Sequence, residues 1–105
     1  MNRELAKELS NYACGKYGCE YEVDRCIEEM SELTKALLKD RRDSSYDTME
    51  DILYEFADVL FTLTHIQVMY EFSDAVIDEA FNKTLERFKW EEKLYEDEVK
   101  GDMGE

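Results

Sequence analysis

The sequence predicts an all-α fold, an antiparallel four-helix bundle in one domain spanning residues 1–105, and three observations predict it. The 105 residues include no Pro and only four Gly, so little in the chain interrupts a helix. Hydrophobic residues make up 44% of the sequence, and they recur at intervals of three and four, the period of a helix face and not of a strand. The polar breaks between the periodic stretches are short, which favours antiparallel neighbours.

The first helix is expected over residues 2 to about 14, with Leu5, Leu9, Tyr12 and Ala13 on its apolar side. Residues 15–18, Gly-Lys-Tyr-Gly, break it. The second helix starts at Glu20 or Tyr21 and runs to about Arg41. Its first turn is acidic and its last carries Lys39, Arg41 and Arg42, as the helix dipole prefers. Residues 42–47 form a polar loop, and Asp47 or Thr48 caps a third, most apolar helix that continues to about Tyr70. Ser73 or Asp74 caps a fourth, over 75 to about 95, with Val76, Ile77, Ala80, Phe81, Thr84, Leu85 and Phe88 as its inner stripe. The acidic tail, about 97–105, is expected to fray.

The formal net charge is −14. That excludes binding to nucleic acid or to an anionic membrane through the general field, and it requires that an anionic substrate arrive with metal. No stretch approaches the roughly 20 apolar residues of a membrane span, and no signal peptide is visible, so the expected location is the cytoplasm. Cys14, Cys19 and Cys26 are an odd number in a reducing compartment and are expected to be free thiols; they lack zinc-ligand spacing. A long apolar third helix in so short a chain leaves apolar surface over, which points to a homodimer or homotetramer.

The chemistry-bearing pattern is a doubled pair of carboxylates: Glu29 and Glu32 on the second helix, Glu55 and Asp58 on the third. Both pairs are spaced i, i+3, one turn apart on a shared face. With Met30 at the centre of the second helix's apolar stripe, Glu29 and Glu32 fall about 100° and 160° to one side. With Phe56 at the centre of the third helix's stripe, Glu55 and Asp58 fall at the same offsets of about 100° and 160°. Antiparallel packing of two such helices gathers four carboxylates, whose mutual repulsion raises their pKa values. A hard divalent cation removes the conflict, and oxygen-only ligands suit Mg²⁺, or Mn²⁺, not zinc. A single Glu-x-x-Glu is commonly a solvated helix face; the phase-matched repeat sets this one apart.

Glu28-Glu29-x-x-Glu32-Leu33, followed by Glu55-x-x-Asp58-Val59-Leu60-Phe61, resembles the signature of the MazG-like nucleoside triphosphate pyrophosphohydrolases. The resemblance runs from about Tyr17 to Phe88, and Lys16-Tyr17-Gly18 and Lys39-Asp40-Arg41-Arg42 are similar to the small single-domain phage and bacterial members. It implies a MazG-like, oligomeric all-α fold and hydrolysis of a nucleoside triphosphate to monophosphate and pyrophosphate, by water attack on the α-phosphorus. It implies Glu29, Glu32, Glu55 and Asp58 as Mg²⁺ ligands and catalytic residues. Lys83 and Arg87 on the last helix are implied as donors to the substrate phosphates, and Asn82 resembles a family Asn nearby. The family's Gln ahead of the double Glu is missing; Glu20, Tyr21 and Glu22 stand around that place. This departure leaves base choice open.

The same residues have plainer readings. Lys83 and Arg87 suit surface pairing with Glu79 and Glu86. Glu28 falls opposite the apolar stripe and suits solvent, or pairing with Arg25 or Lys35. His65 also falls opposite its stripe. Tyr17, Tyr21 and Trp90 suit base stacking or, more commonly, a core or interface. Two alternatives stand beside the main reading: a phosphoribosyl-ATP pyrophosphohydrolase, and a non-enzymatic acidic adaptor or DNA mimic. The last would spread its acids over the outer surface; the enzyme would gather four of them.

Overall fold

The computed structural model describes the backbone of residues 1–102 and the side chains of residues 1–93. It is all-helical, with four helices and no strand among the described residues: α1 (Arg3–Tyr17), α2 (Cys19–Arg42), α3 (Tyr46–Met69) and α4 (Asp74–Asp102). Helices α1 to α3 lie in one compact unit, Met1–Glu71, and α4 belongs to a second, described by itself.

The helix ends follow local chemistry. The Asn2 side chain accepts from the Leu5 amide at 2.9 Å and caps α1. That helix continues through Gly15, Lys16 and Tyr17, past its expected end. Gly18 alone breaks the path, at φ 94°. A side chain is strained there, while Gly15 sits in ordinary helix with open space around its Cα. Gly18→Ala is therefore expected to destabilise by about 1–3 kcal/mol, and Gly15→Ala to stabilise by about 0.5–1 kcal/mol; chemical denaturation of the two variants checks the opposite signs.

Ser45, not Asp47 or Thr48, caps α3 in a reciprocal box with Thr48. The Thr48 hydroxyl also donates to Asp40 Oδ1 at 2.8 Å, which ties the end of α2 to the start of α3. The far ends meet where His65 faces Glu22, so the two helices run antiparallel. Ser73 caps α4 by accepting from the Val76 amide at 3.2 Å. Helix α4 is continuous to Asp102, beyond the expected end near Tyr95; residues 103–105 of the tail expected to fray lie outside the described residues.

The inward face is not the one the apolar stripes predict. On α1, Ser10 and Cys14 are buried while Leu5, Leu9 and Tyr12 are exposed. On α2 the covered positions include Glu22, Cys26, Glu29, Leu33, Ala36 and Asp40, one side of a helix at period 3.6, with Cys19 and Val23 also partly covered. On α3 they include Thr48, Ile52, Glu55, Val59, Thr62 and His65, with Thr64 and residues 66–69 also partly covered at the C-terminal end. Met30 and Phe56, the expected stripe centres, are 39% and 52% exposed. Small and polar side chains thus fill the α1–α3 interior, and the large apolar stripes point outward. The expected inner stripe of α4 is likewise largely open, with Val76, Phe81, Leu85 and Phe88 exposed.

One expectation is corrected. Helix α3, 24 residues, is long and apolar enough by length and composition to cross a membrane. It carries Glu55 and Asp58 in mid-helix, and each such charge costs about 2.5–3.5 kcal/mol at a bilayer centre on insertion scales.

Candidate metal centre

The rotated packing of α2 against α3 turns their carboxylates toward each other. One oxygen each from Glu29, Glu55 and Asp58 comes together, all within 4.8 Å of one another. Glu29 and Glu55 are partly covered and Asp58 is exposed, so the group opens to solvent on one side. Glu55 Oε2 is buried with no hydrogen-bond partner. The Glu29 carboxyl titrates above its ordinary value of 4.5, through burial first, then the Asp58 and Glu55 charges and a side-chain hydrogen bond with Glu55; the Arg25 guanidinium opposes the rise.

This donor set fits a hard divalent cation. Three carboxylate oxygens converge, Glu55 carries a buried oxygen with no protein donor, and the charge conflict is visible in Glu29. Oxygen-only ligation suits Mg²⁺ or Mn²⁺. Glu32, the fourth expected ligand, stands outside the group: its side chain is 51% exposed and accepts from Lys35 Nζ at 3.4 Å.

The other expected site residues lie on α4. Lys83 pairs with Glu79 at 3.4 Å, both largely exposed, which matches the plain surface reading of that lysine. Arg87 rests against the Phe88 ring, 5.7 Å from its centroid. Asn82 and Lys83 line an open depression along α4 with Ala75, Asp78, Glu79 and Glu86. Tyr17 and Tyr21 are exposed neighbours with ring centroids 6.0 Å apart, and Trp90 is exposed. Glu28 is exposed, as expected; Arg25 and Lys35 pair with Glu22 and Glu32 instead.

A second polar group escaped the sequence reasoning. Glu22, Ser10 and His65 are buried together where α1, α2 and α3 meet. Ser10 Oγ lies 2.9 Å from His65 Nδ1, and His65 Nε2 lies 3.3 Å from Glu22 Oε2. Arg25 Nη1 donates to the same Glu22 oxygen at 3.3 Å. The His65–Glu22 approach lacks hydrogen-bond alignment, so His65 Nε2 has no partner; Glu22 Oε1, the other carboxylate oxygen, has none either. A Ser-His-Glu set suggests a nucleophile, but Ser10 is 0% exposed, so no substrate reaches it. The signal for this group was the small-residue face of α2, Cys26 and Ala36 in register with Glu22 and Glu29, on the side away from Met30.

His65 titrates below its ordinary 6.5 because burial disfavours the imidazolium, outweighing the Glu22 charge that favours it, while Arg25 adds to the lowering. Below pH 6.5 the unfolded chain therefore takes up a proton that the folded chain refuses, and stability from this residue falls as pH drops toward the folded pKa. The loss of Tm between about pH 7.5 and about pH 5.5 is expected to be larger in the wild type than in His65→Asn; equal slopes would count against it.

The three cysteines are free, as expected. Comparison with family models, with curated proteins and with solved structures finds no match for this chain.

Proposed function

We propose that this protein is a Mg²⁺-dependent nucleoside triphosphate pyrophosphohydrolase of the MazG-like type, working in the cytoplasm as a homodimer or homotetramer. The observation that carries the reading is the convergence of Glu29, Glu55 and Asp58 from two antiparallel helices. It is supported by the buried, unpartnered Glu55 Oε2. A divalent ion held by these residues would neutralise charge developing on the phosphate oxygens.

The chain's own residues do the rest. The three carboxylates would hold the cation with one side open to solvent, where a triphosphate and a water could enter. Water attacks the α-phosphorus, pyrophosphate leaves, and a carboxylate oxygen of the group takes the water's proton. Glu32, one turn beyond Glu29 and outside the group beside Lys35, would be a second acceptor for that proton or would complete the ligand set. Asn82, Lys83 and Arg87 are proposed as phosphate donors on the resemblance alone. The outward apolar residues Leu53, Phe56, Leu60 and Leu63 support association with a second copy. Inward-facing Glu22, Glu29 and Glu55 disfavour a DNA mimic, which would display its acids.

The test is pyrophosphate release from a panel of ribo- and deoxyribonucleoside triphosphates and phosphoribosyl-ATP, with Mg²⁺ and with EDTA. Metal-dependent release from one of them is the expected result. No release and no Mg²⁺ binding by calorimetry would overturn the reading in favour of an acidic adaptor.

A further inference from the structure

Arg25 stands between the two polar groups. It is three residues after buried Glu22 and four before Glu29, so the three side chains share one stripe of α2. Glu22 is 0% exposed, whereas the Arg25 side chain is 47% exposed. The buried carboxylate therefore anchors a guanidinium whose other end reaches solvent. That charge is near enough to Glu29 to oppose its upward shift, and it also acts on His65. A guanidinium carries five donors, and the contact to Glu22 engages Nη1 alone.

We propose that Arg25 is a substrate-binding residue that grips the phosphate chain of the nucleotide at the edge of the carboxylate group, with Glu22 as its positioning residue. The inference rests on the pyrophosphohydrolase reading and adds a binding residue on the same helix as Glu29. The chemistry is that of a fixed fork facing phosphate oxygens. Arg makes two parallel charge-assisted hydrogen bonds where Lys makes a point contact. Fixing the fork before the ligand arrives removes the ordering cost that a free surface Arg would meet on binding. The position also suits the electrostatics: the cluster is strongly acidic, and a triphosphate approaching it needs protein cations beside the metal.

The test measures two affinities by calorimetry on the full chain: Mg²⁺ alone, and inorganic pyrophosphate in the presence of Mg²⁺. Three proteins are compared: wild type, Arg25→Lys, and the double variant Glu22→Gln with Arg25→Met. The double variant leaves no buried carboxylate without a cation and keeps the net charge, so it holds the fold where Arg25→Met alone endangers it. Pyrophosphate affinity is expected to fall about 10–100-fold in the double variant and by a smaller factor in Arg25→Lys, with Mg²⁺ affinity nearly unchanged. With an active triphosphate, KM should rise in parallel. A folded double variant that binds pyrophosphate as tightly as wild type would overturn the role of Arg25 and leave the enzyme reading intact. If wild type itself binds neither Mg²⁺ nor Mg²⁺-pyrophosphate, the pyrophosphohydrolase reading falls, and this inference with it.

Discussion

Glu29→Gln, and separately Asp58→Asn, is expected to abolish Mg²⁺-dependent pyrophosphate release while raising the melting temperature of the metal-free protein. The two effects have one cause. Glu29 is held above its ordinary pKa by burial and by the Asp58 and Glu55 charges. Its ionised form is thus disfavoured by the fold, and near neutral pH a neutral isostere relieves the conflict. The same negative charge is what a cation needs. Groups that only orient metal ligands are worth about 10–100-fold, so loss of a ligand should cost at least about 100-fold in turnover. The Tm gain on adding Mg²⁺ should shrink with it. Glu32→Gln should do less, because Glu32 sits outside the cluster beside Lys35. Steady-state kinetics and thermal melts with and without Mg²⁺ check both signs; full activity in the Glu29 and Asp58 variants would remove the assignment.

Arg25→Ala is expected to cost about 2–4 kcal/mol of folding stability. Removing one partner of a fully buried ion pair costs about 3–5 kcal/mol, and the half-exposed guanidinium lowers the figure. What remains after the substitution is Glu22, a carboxylate at 0% exposure with Oε1 already unpartnered. Glu22→Gln should cost less, because it leaves the Arg25 charge in contact with water. The double variant should recover most of the loss, since neither charge is then stranded. For a domain of this size each kcal/mol is about 4–8 °C in Tm, so the Arg25→Ala shift should exceed 8 °C. Urea titrations of the two single variants and the double variant give the coupling directly. Additive losses would show that Arg25 and Glu22 act independently.

The helices were legible in the sequence because their signals are local: periodicity, caps and the lack of Pro. The start of α3 missed by two or three residues because Ser45 and Thr48 cap each other reciprocally, a pairing that a search for a single capping residue passes over. The meeting of Glu29, Glu55 and Asp58 was legible through the matched offsets on two helices. What failed was the choice of inner face. Ranking faces by hydrophobicity assumes that the largest apolar residues are covered within one chain. Here Ser10, Cys14, Cys26 and Thr62 let three helices approach closely, and Met30, Phe56 and Leu60 are left outside. That rotation placed His65 and Glu22 inside, the opposite of where the stripe argument put the histidine. It also explains why Glu29, expected at the flank, is covered while Glu28 and Glu32 remain in solvent.

The three thiols make the folded unit its own reporter of local opening. Cys26 is 0% exposed, and Cys14 is pushed up to about 12 by burial, by its hydrogen bond and repulsion with Cys19, and by the Glu22 charge. Cys26 is out of an alkylating reagent's reach, and Cys14 offers it no thiolate at neutral pH, while the helices stay together. Cys19, partly exposed beside the Gly18 elbow, reacts from the closed state. Slow modification at Cys14 and Cys26 therefore clocks how often α1 and α2 part from α3, in the way that amide exchange clocks backbone opening. A cation held by Glu29, Glu55 and Asp58 would slow that clock, so a bound metal would be detectable as protection of sulfur atoms that it never touches.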